Sequence, residues 1–370
     1  MKYVRWLFLC VCMPLLLSAH SEQVLSRVEQ VLEQDPYLEL SREELGDIFS
    51  AIEGIALSKS KRALFTRKQT GLPCTIERCP TLKGFLVRNF SKKGGRIGHG
   101  VHKVISKAIL YGQEAKVIAF CDSDATGRPE SQVLKKLQGC KGIVPYLGMD
   151  PKSRERCYIY LEYYPDRSLR KKLNDKMVFT PEQVVRIARG IVSGLGAMHG
   201  KKLLHRDLHE GNILLKKSGD LYEAVLVDFG KTLSEKASRD VIPQIPRTKS
   251  PPEVLDRPLK KIDRYKSEVY AVGCILHGLV WGGHVPWIGL YDNRHLSEVS
   301  VQKRKSCFKK TQALFAKARK KRLSPILQKA EVERSMYEQF QITIFDMLDY
   351  RPEKRPSLGQ IEQLLSAMEG

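Results

Sequence analysis

Apolar residues recur at helical spacing near the start of the chain. Val24, Leu25, Val28, Val31 and Leu32 form one run, and Leu45, Ile48, Phe49, Ile52 and Ile55 form a second. Ser41 followed by Glu44 opens the second run as a capping box. The pattern predicts a small helical extension over residues 21–60 that packs against the main domain. Residues 57–80 are polar and basic, with a turn near Gly71-Leu72-Pro73, and read as a linker. From about residue 83 the texture changes. Lys116 to Phe120 and Tyr158 to Glu162 are strand-like, and longer helical patterns follow them. Thr180-Pro181-Glu182-Gln183 supplies a cap, a proline in the first turn and a glutamine three residues after the cap. Val184, Ile187, Ala188, Ile191, Leu195 and Met198 then line one buried face. Strands followed by helices predict an α+β arrangement in two lobes.

Composition adds limits. The 370 residues suffice for one large or two medium domains, and 42% apolar content suits a globular core. Lys and Arg number 63 against 41 Asp and Glu, a net charge of +22, which favours anionic partners. Eleven of those cations lie within residues 301–330, which hold no Asp or Glu. That basic insert is a solvated face or a docking surface for an acidic partner or a membrane. No nucleic-acid motif accompanies the charge and interleaved aromatics are few, so no specific nucleic-acid binding is expected. Lys2 and Arg5 precede an apolar run from Trp6 to Leu17, then Ser18-Ala19. Residues 1–19 therefore read as a signal peptide, with an uncleaved membrane anchor as the alternative, and the expected location is exported or secreted. Nine scattered cysteines give neither a disulfide framework nor a zinc spacing.

The chemistry is concentrated after the Thr180 helix. His205-Arg206-Asp207-Leu208-His209-Glu210-Gly211-Asn212 is followed, sixteen residues beyond Asn212, by Asp228-Phe229-Gly230. The two segments resemble the catalytic loop and D-F-G of the protein-kinase family. Pro251-Pro252-Glu253 stands where A-P-E belongs, Glu268 to Gly273 resembles the helix that usually opens with Asp, and Arg355-Pro356 resembles the late R-P whose arginine pairs with the A-P-E glutamate. Tyr158 to Tyr164 resembles the hinge that receives adenine, with Leu161 at the gatekeeper position. The resemblance covers roughly residues 90–369. It implies a bilobal kinase fold, a β-rich N-lobe and a helical C-lobe over residues 83–370, with residues 20–82 as helical extension and linker. It further implies ATP and Mg²⁺ as cofactors and a protein substrate. Asp207 would take the acceptor proton, and Asn212 and Asp228 would bind the metal. Ile97, Gly98, Gly100, Ile105, Glu162 and Tyr164 would contact nucleotide. Glu130, which shares a helix with Leu134 and Leu137, resembles the glutamate that holds the ATP-anchoring lysine.

Two positions depart from the family pattern. The phosphate loop reads Ile97 to Ile105 with Gly98 and Gly100 in place, but Lys103 stands at the third glycine. The V-A-I-K strand reads Ile118-Ala119-Phe120-Cys121, with cysteine where lysine belongs. Together they resemble the with-no-lysine kinases, in which a lysine at the third-glycine position reaches the phosphates. Three readings follow: a relocated anchor at Lys103, a degenerate site in a scaffolding pseudokinase, or Lys116 as the anchor. As a glycine-loop side chain, Lys103 is expected to be largely exposed. Phe229 differs from the leucine typical of that family, and chloride sensing is not carried over. His209 stands two residues past Asp207, where serine/threonine kinases usually carry lysine, and Pro246 stands seven before Glu253 as in tyrosine kinases. The with-no-lysine likeness favours serine/threonine.

Overall fold

The computed structural model describes residues 22–58 (36, 37 and 39 apart), 62–67, 71–88, 96–99, 103–124, 127–238, 249, 251–255, 262–282, 285, 309–310, 313–314, 316–317, 326 and 334–369. The export-signal reading of residues 1–19, Gly100 and most of the basic insert lie outside them. The chain divides into two units. One comprises Met1–Ser131 with Tyr146–Pro165 and the other Gln132–Pro145 with Asp166–Gly370.

The first unit is built on one antiparallel sheet. Its strands are β1 (Arg62–Thr66), β2 (Pro73–Cys79), β3 (Gly84–Arg88), β4 (Arg96–His99), β5 (Lys103–Tyr111), β6 (Ala115–Asp124), β7 (Tyr146–Pro151) and β8 (Arg156–Glu162). The order is β1-β2-β3-β5-β6-β8-β7. β5 is long enough to take two partners on one edge: β4 through Val104 to Ser106, and β3 through Ile109 to Tyr111. The linker reading of residues 57–80 is thereby corrected. Most of that stretch forms β1 and β2, in full register from Arg62↔Glu77 to Thr66↔Pro73. Polarity misled because β1 is a half-exposed outer strand, whose side chains alternate between exposed and partly covered.

Period-2 alternation sends β6 to two different cores. Ala115 and Val117 join a cluster with Val24, Val28, Val31, Leu45, Ile48 and Phe49, whereas Ile118 and Phe120 join one with Leu86, Ala108 and Tyr160 on the opposite face. The helical residues 22–34 (α1) and the helix Arg42–Ser58 (α2) cover the first face. As the capping-box reading expects, Glu44 N–H donates to Ser41 Oγ at 3.2 Å and Ser41 N–H to Glu44 Oε2 at 3.1 Å. The extension also completes the sheet's hydrogen bonding. Gln30 and Gln34, one helical turn apart, accept from the N–H groups of Ala115 (3.2 Å) and Val117 (2.9 Å). Those residues lie beyond β8, whose pairing with β6 begins at Ile118. Lys107 pairs with Asp35, and Tyr111 donates its hydroxyl proton to Glu53.

A buried fork fixes α2 to the end of β1. Arg67 donates Nε–H to Glu44 Oε1 and Nη2–H to Oε2, both at 2.8 Å. The guanidinium beside it is the main reason the Glu44 carboxyl is held below its ordinary value of 4.5. A depressed carboxylate contributes stability above its ordinary pKa and loses it as pH falls through the folded value. The wild type's urea midpoint should therefore fall as pH drops below 4.5. The double variant Glu44→Gln/Arg67→Met should show a shallower fall, and parallel curves would reject the assignment.

The second unit is mainly helical. α5 (Pro181–Gly200) begins with the Thr180–Gln183 capping box, and Val184, Ile187, Ala188, Ile191, Leu195 and Met198 are buried as the sequence predicts. α5 passes close to the hairpin of β10 (Ile213–Ser218) and β11 (Leu221–Leu226). A Cβ on Gly190 would sit 2.3 Å from the Ala224 carbonyl oxygen, so only glycine admits this approach. α7 (Arg264–Trp281), capped by Asp263, is buried along nearly its whole length. Helices Arg334–Met347 and Leu358–Ala367 follow. Among the described residues no helix is long and apolar enough to cross a membrane.

Candidate active site

In the first unit, antiparallel register sets the geometry around Lys103. Lys103 lies opposite Ser123, and Ile105 lies opposite Cys121. Directly opposed residues share a face, so Lys103 and Cys121 are diagonal neighbours on one face of the sheet. α3 (Gly127–Lys136) begins against this face: a Cβ on Gly127 would meet Cys157 Sγ at 2.6 Å and Ser123 Oγ at 2.7 Å. One turn further, Glu130 receives Lys103. Lys103 Nζ lies 2.9 Å from Glu130 Oε1 and 3.1 Å from Oε2. The Lys103 side chain is only 13% exposed and that of Glu130 6%. The expectation of a largely exposed Lys103 is thus corrected, because the lysine is a strand residue under α3 and not a loop tip. Lys116, the alternative anchor, is one residue out of phase with Cys121 on β6 and belongs to the opposite face.

Ile97 sits at a β-bulge between Arg96 and Gly98, and Gly98 lies opposite Ile105. Glu162 ends β8, and Tyr164 is buried just beyond it. These positions lie in the same unit as Lys103.

In the second unit the catalytic-loop segment is held at both ends. Arg206 takes φ +66° and Asp228 φ +65°. Left-handed backbone at a non-glycine residue costs about 1–3 kcal/mol and persists only where surroundings enforce it. Glu268 enforces the first: its Oε1 accepts from Arg206 N–H at 2.6 Å, while Oε2 lies 2.8 Å from His199 Nε2. The residue that resembles the helix-opening Asp therefore does its holding from one turn inside α7, and the longer glutamate spans the gap. His205 ties the two segments together. Asp207 N–H donates to its Nδ1 at 3.3 Å, and its Nε2 lies 3.1 Å from the Val227 carbonyl oxygen. Asn212 donates Nδ2–H to the Asp207 carbonyl oxygen at 2.9 Å, and Val227 N–H donates to the Asn212 carbonyl oxygen at 3.0 Å. Phe229 is buried, with its ring 5.3 Å from that of His205.

Glu253 and Arg355 pair as the resemblance expects. Arg355 Nη1–H and Nη2–H donate to Glu253 Oε1 and Oε2 at 2.8 and 2.7 Å, with both side chains essentially buried. Two further cations escaped the sequence reading. Lys231 Nζ lies 3.0 Å from Asp207 Oδ2, and Lys249 Nζ lies 2.6 Å from Glu210 Oε1. The Lys249 contact helps hold the Glu210 carboxyl below its ordinary value against its burial. No motif marks either lysine. The only signal for Lys231 is its place directly after Asp228-Phe229-Gly230.

Asn212 and Asp228 offer an amide oxygen and a carboxylate. Mg²⁺ favours such hard donors, and it commonly takes one or two carboxylates and completes its shell with phosphate and water. Among the described residues no three His, Cys, Asp or Glu side chains gather into a cage, so this donor set fits that mode of binding and not a closed metal site.

A scan against protein families matches the protein kinase domain over residues 96–366. An α+β architecture with an antiparallel-sheet unit and a helical unit, together with this match, defines the class: the chain belongs to the protein kinase family. Among its relatives, mitogen-activated protein kinase kinase kinase 5 of Arabidopsis thaliana is 31% identical over 165 residues, 43% of this chain and 22% of that protein. Serine/threonine-protein kinase PLK2 of Mus musculus is 29% identical over 211 residues, 56% of this chain and 26% of that protein. Serine/threonine-protein kinase PknL of Mycobacterium tuberculosis is 32% identical over 136 residues, 36% of this chain and 32% of that protein. The matched stretches thus span about a third or less of these relatives' own length.

Proposed function

We propose that the chain is an active protein kinase that transfers the γ-phosphoryl group of ATP to serine or threonine hydroxyls of a protein. The observation that carries this reading is the catalytic loop. Asp207 and Asn212 are locked to one another, and the strained Arg206 and Asp228 are held in place around them. Decay of a catalytic site leaves no reason to retain such strain. The relatives' names support the serine/threonine preference.

The chemistry follows from the residues. Phosphoryl transfer asks for positioning and charge neutralisation more than for covalent chemistry. Asp207 accepts the proton of the acceptor hydroxyl. The freed oxygen bonds to the γ-phosphorus as the bond to the bridging oxygen breaks, and ADP leaves with the electron pair. Asn212 and Asp228 would hold Mg²⁺, which neutralises phosphate charge when bound. Lys103, fixed by both Glu130 oxygens, would supply the anchoring cation for the phosphates, taking over from the lysine absent at Cys121.

The test is transfer of radiolabel from Mg²⁺-ATP by the purified full chain to itself and to a generic acceptor such as casein, followed by phospho-amino-acid analysis. Phosphoserine or phosphothreonine is expected, with Asp207→Asn as the blank. Nucleotide binding with no label transferred, or label on tyrosine alone, would overturn the reading.

A further inference from the structure

The catalytic carboxylate has a cationic partner that the family motifs do not mark. Besides His205, whose Nδ1 takes the Asp207 backbone N–H at 3.3 Å, three cationic or titratable side chains near Asp207 could in principle supply it, and the structure separates them. Arg206 is engaged elsewhere: its Nη1–H donates to the Lys231 carbonyl oxygen at 3.3 Å, and burial pushes its guanidinium down. His209 Nδ1 accepts from Gly211 N–H at 3.0 Å and lies 3.0 Å from Arg170 Nη2. Two donors on Nδ1 leave no proton there, and burial pushes the ring's pKa below its ordinary value, so His209 brings no charge. That leaves Lys231, whose ammonium sits 3.0 Å from Asp207 Oδ2 while its side chain stays about half exposed.

The backbone beneath Lys231 is fixed on both sides. Its carbonyl oxygen takes the Arg206 hydrogen bond, and Thr232 N–H closes a turn onto the Phe229 carbonyl oxygen at 3.0 Å. The lysine therefore starts from a set position directly after the D-F-G segment. Engagement of Oδ2 alone leaves Oδ1 open to an acceptor hydroxyl.

We propose that Lys231 is a positioning residue for the phosphoryl-transfer reaction: it holds Asp207 through Oδ2 so that Oδ1 faces the acceptor. The inference rests on the kinase reading above. Lys231 acts through Asp207, so its removal loosens the proton acceptor without touching nucleotide binding. A well-placed general base contributes about 10²–10⁴-fold to rate, and loss of its positioning should forfeit a part of that.

The experiment is steady-state transfer by the full chain and four variants. Activity of the wild type first establishes the underlying reading, whose failure would appear there. Given that activity, Lys231→Met should lower kcat about 10–100-fold with KM for ATP and for peptide changed less than about threefold. Lys231→Gln should behave likewise. Lys231→Arg, which keeps the charge, should retain at least about a third of kcat. Lys231→Ala should regain activity on addition of ethylammonium, with no such gain for Lys231→Met. Thermal unfolding of each variant guards against a folding defect, and rescue by a soluble amine is a response that a merely structural lysine would not give. A kcat for Lys231→Met within about threefold of wild type would overturn the proposal. A rise in kcat would also overturn it, by showing that the ion pair restrains Asp207.

Discussion

Lys103→Met should lower kcat/KM for protein phosphorylation by at least about 100-fold, equivalent to about 2.7 kcal/mol of transition-state stabilisation. The argument is one of register. A lysine at position 121 would rise from β6 beside Ile105, and Lys103 rises from β5 one diagonal step away on the same face. The cation can therefore exchange strands and still meet Glu130, at 2.9 and 3.1 Å. Lys116 offers no such exchange from the other face, so Lys116→Met should change kcat/KM less than about threefold. Methionine keeps an unbranched apolar stem and removes the ammonium, with its charge and its donors to Glu130. It leaves the largely buried Glu130 carboxylate without that cation, so Lys103→Met/Glu130→Gln is needed alongside it to separate lost catalysis from lost stability. The double change Lys103→Gly/Cys121→Lys should recover part of the activity, since position 121 is a diagonal neighbour on the same face of the sheet. Full transfer by Lys103→Met would refute the anchoring role. Because Lys116 lies on the other face, such a result would move the search to a different cation.

How far the sequence revealed the molecule depended on whether the signal was local. The Thr180–Gln183 and Ser41–Glu44 capping boxes were legible because each is complete within four residues. The loop from His205 to Asn212 and the Glu253–Arg355 pair were legible because a motif fixes both ends of each interaction. The Lys103–Glu130 contact was legible because Lys103 and Cys121 are a coupled departure, a lysine gained at one position and lost at another, and Glu130 matches the glutamate that holds such a lysine. What stayed hidden was long-range pairing without a motif. Residues 62–66 read as a polar linker because a half-exposed outer strand shows only a faint alternation, and residues 73–79 because Pro73, Thr75, Glu77 and Arg78 dilute the buried Cys74, Ile76 and Cys79. Gln30 and Gln34 carry no signal that they finish the hydrogen bonding of a strand more than 80 residues away. Lys231 carries only its place directly after Asp228-Phe229-Gly230, since its pairing with Asp207 depends on a turn that sequence does not announce. The depth of Lys103 was misjudged for the same reason: its cover comes from α3, which no local pattern places over β5.

A chain beginning at Lys83 should fail to fold cooperatively, although the motifs that define the kinase resemblance all lie beyond that point. Such a truncation removes α1, α2, β1 and β2. It strips the cover from Phe85, Val87, Ile109, Tyr111, Ala115, Val117 and Tyr163, all buried in the cluster those elements build. It also deprives Ala115 and Val117 of their hydrogen-bond acceptors, and Lys107 of Asp35. An exposed apolar face of that extent, with β3 left as an open edge, is an aggregation template. The same dependence should appear in a single substitution. Phe49 is fully buried, with its ring 4.6 Å from that of Tyr111. Phe49→Ala should therefore cost about 3–5 kcal/mol in the stability of the first unit. Urea unfolding followed by circular dichroism measures the loss, and hydrogen exchange in β5 and β6 localises it. The functional consequence follows from the sheet: Lys103 begins the same β5 that carries Ile109 and Tyr111. Melting the end of β5 under the extension should loosen the end that bears the lysine, so activity should fall together with protection. Should residues 83–370 alone unfold at the same urea midpoint as the full chain and phosphorylate at the same rate, the extension would be an appendage and not part of the first unit's core.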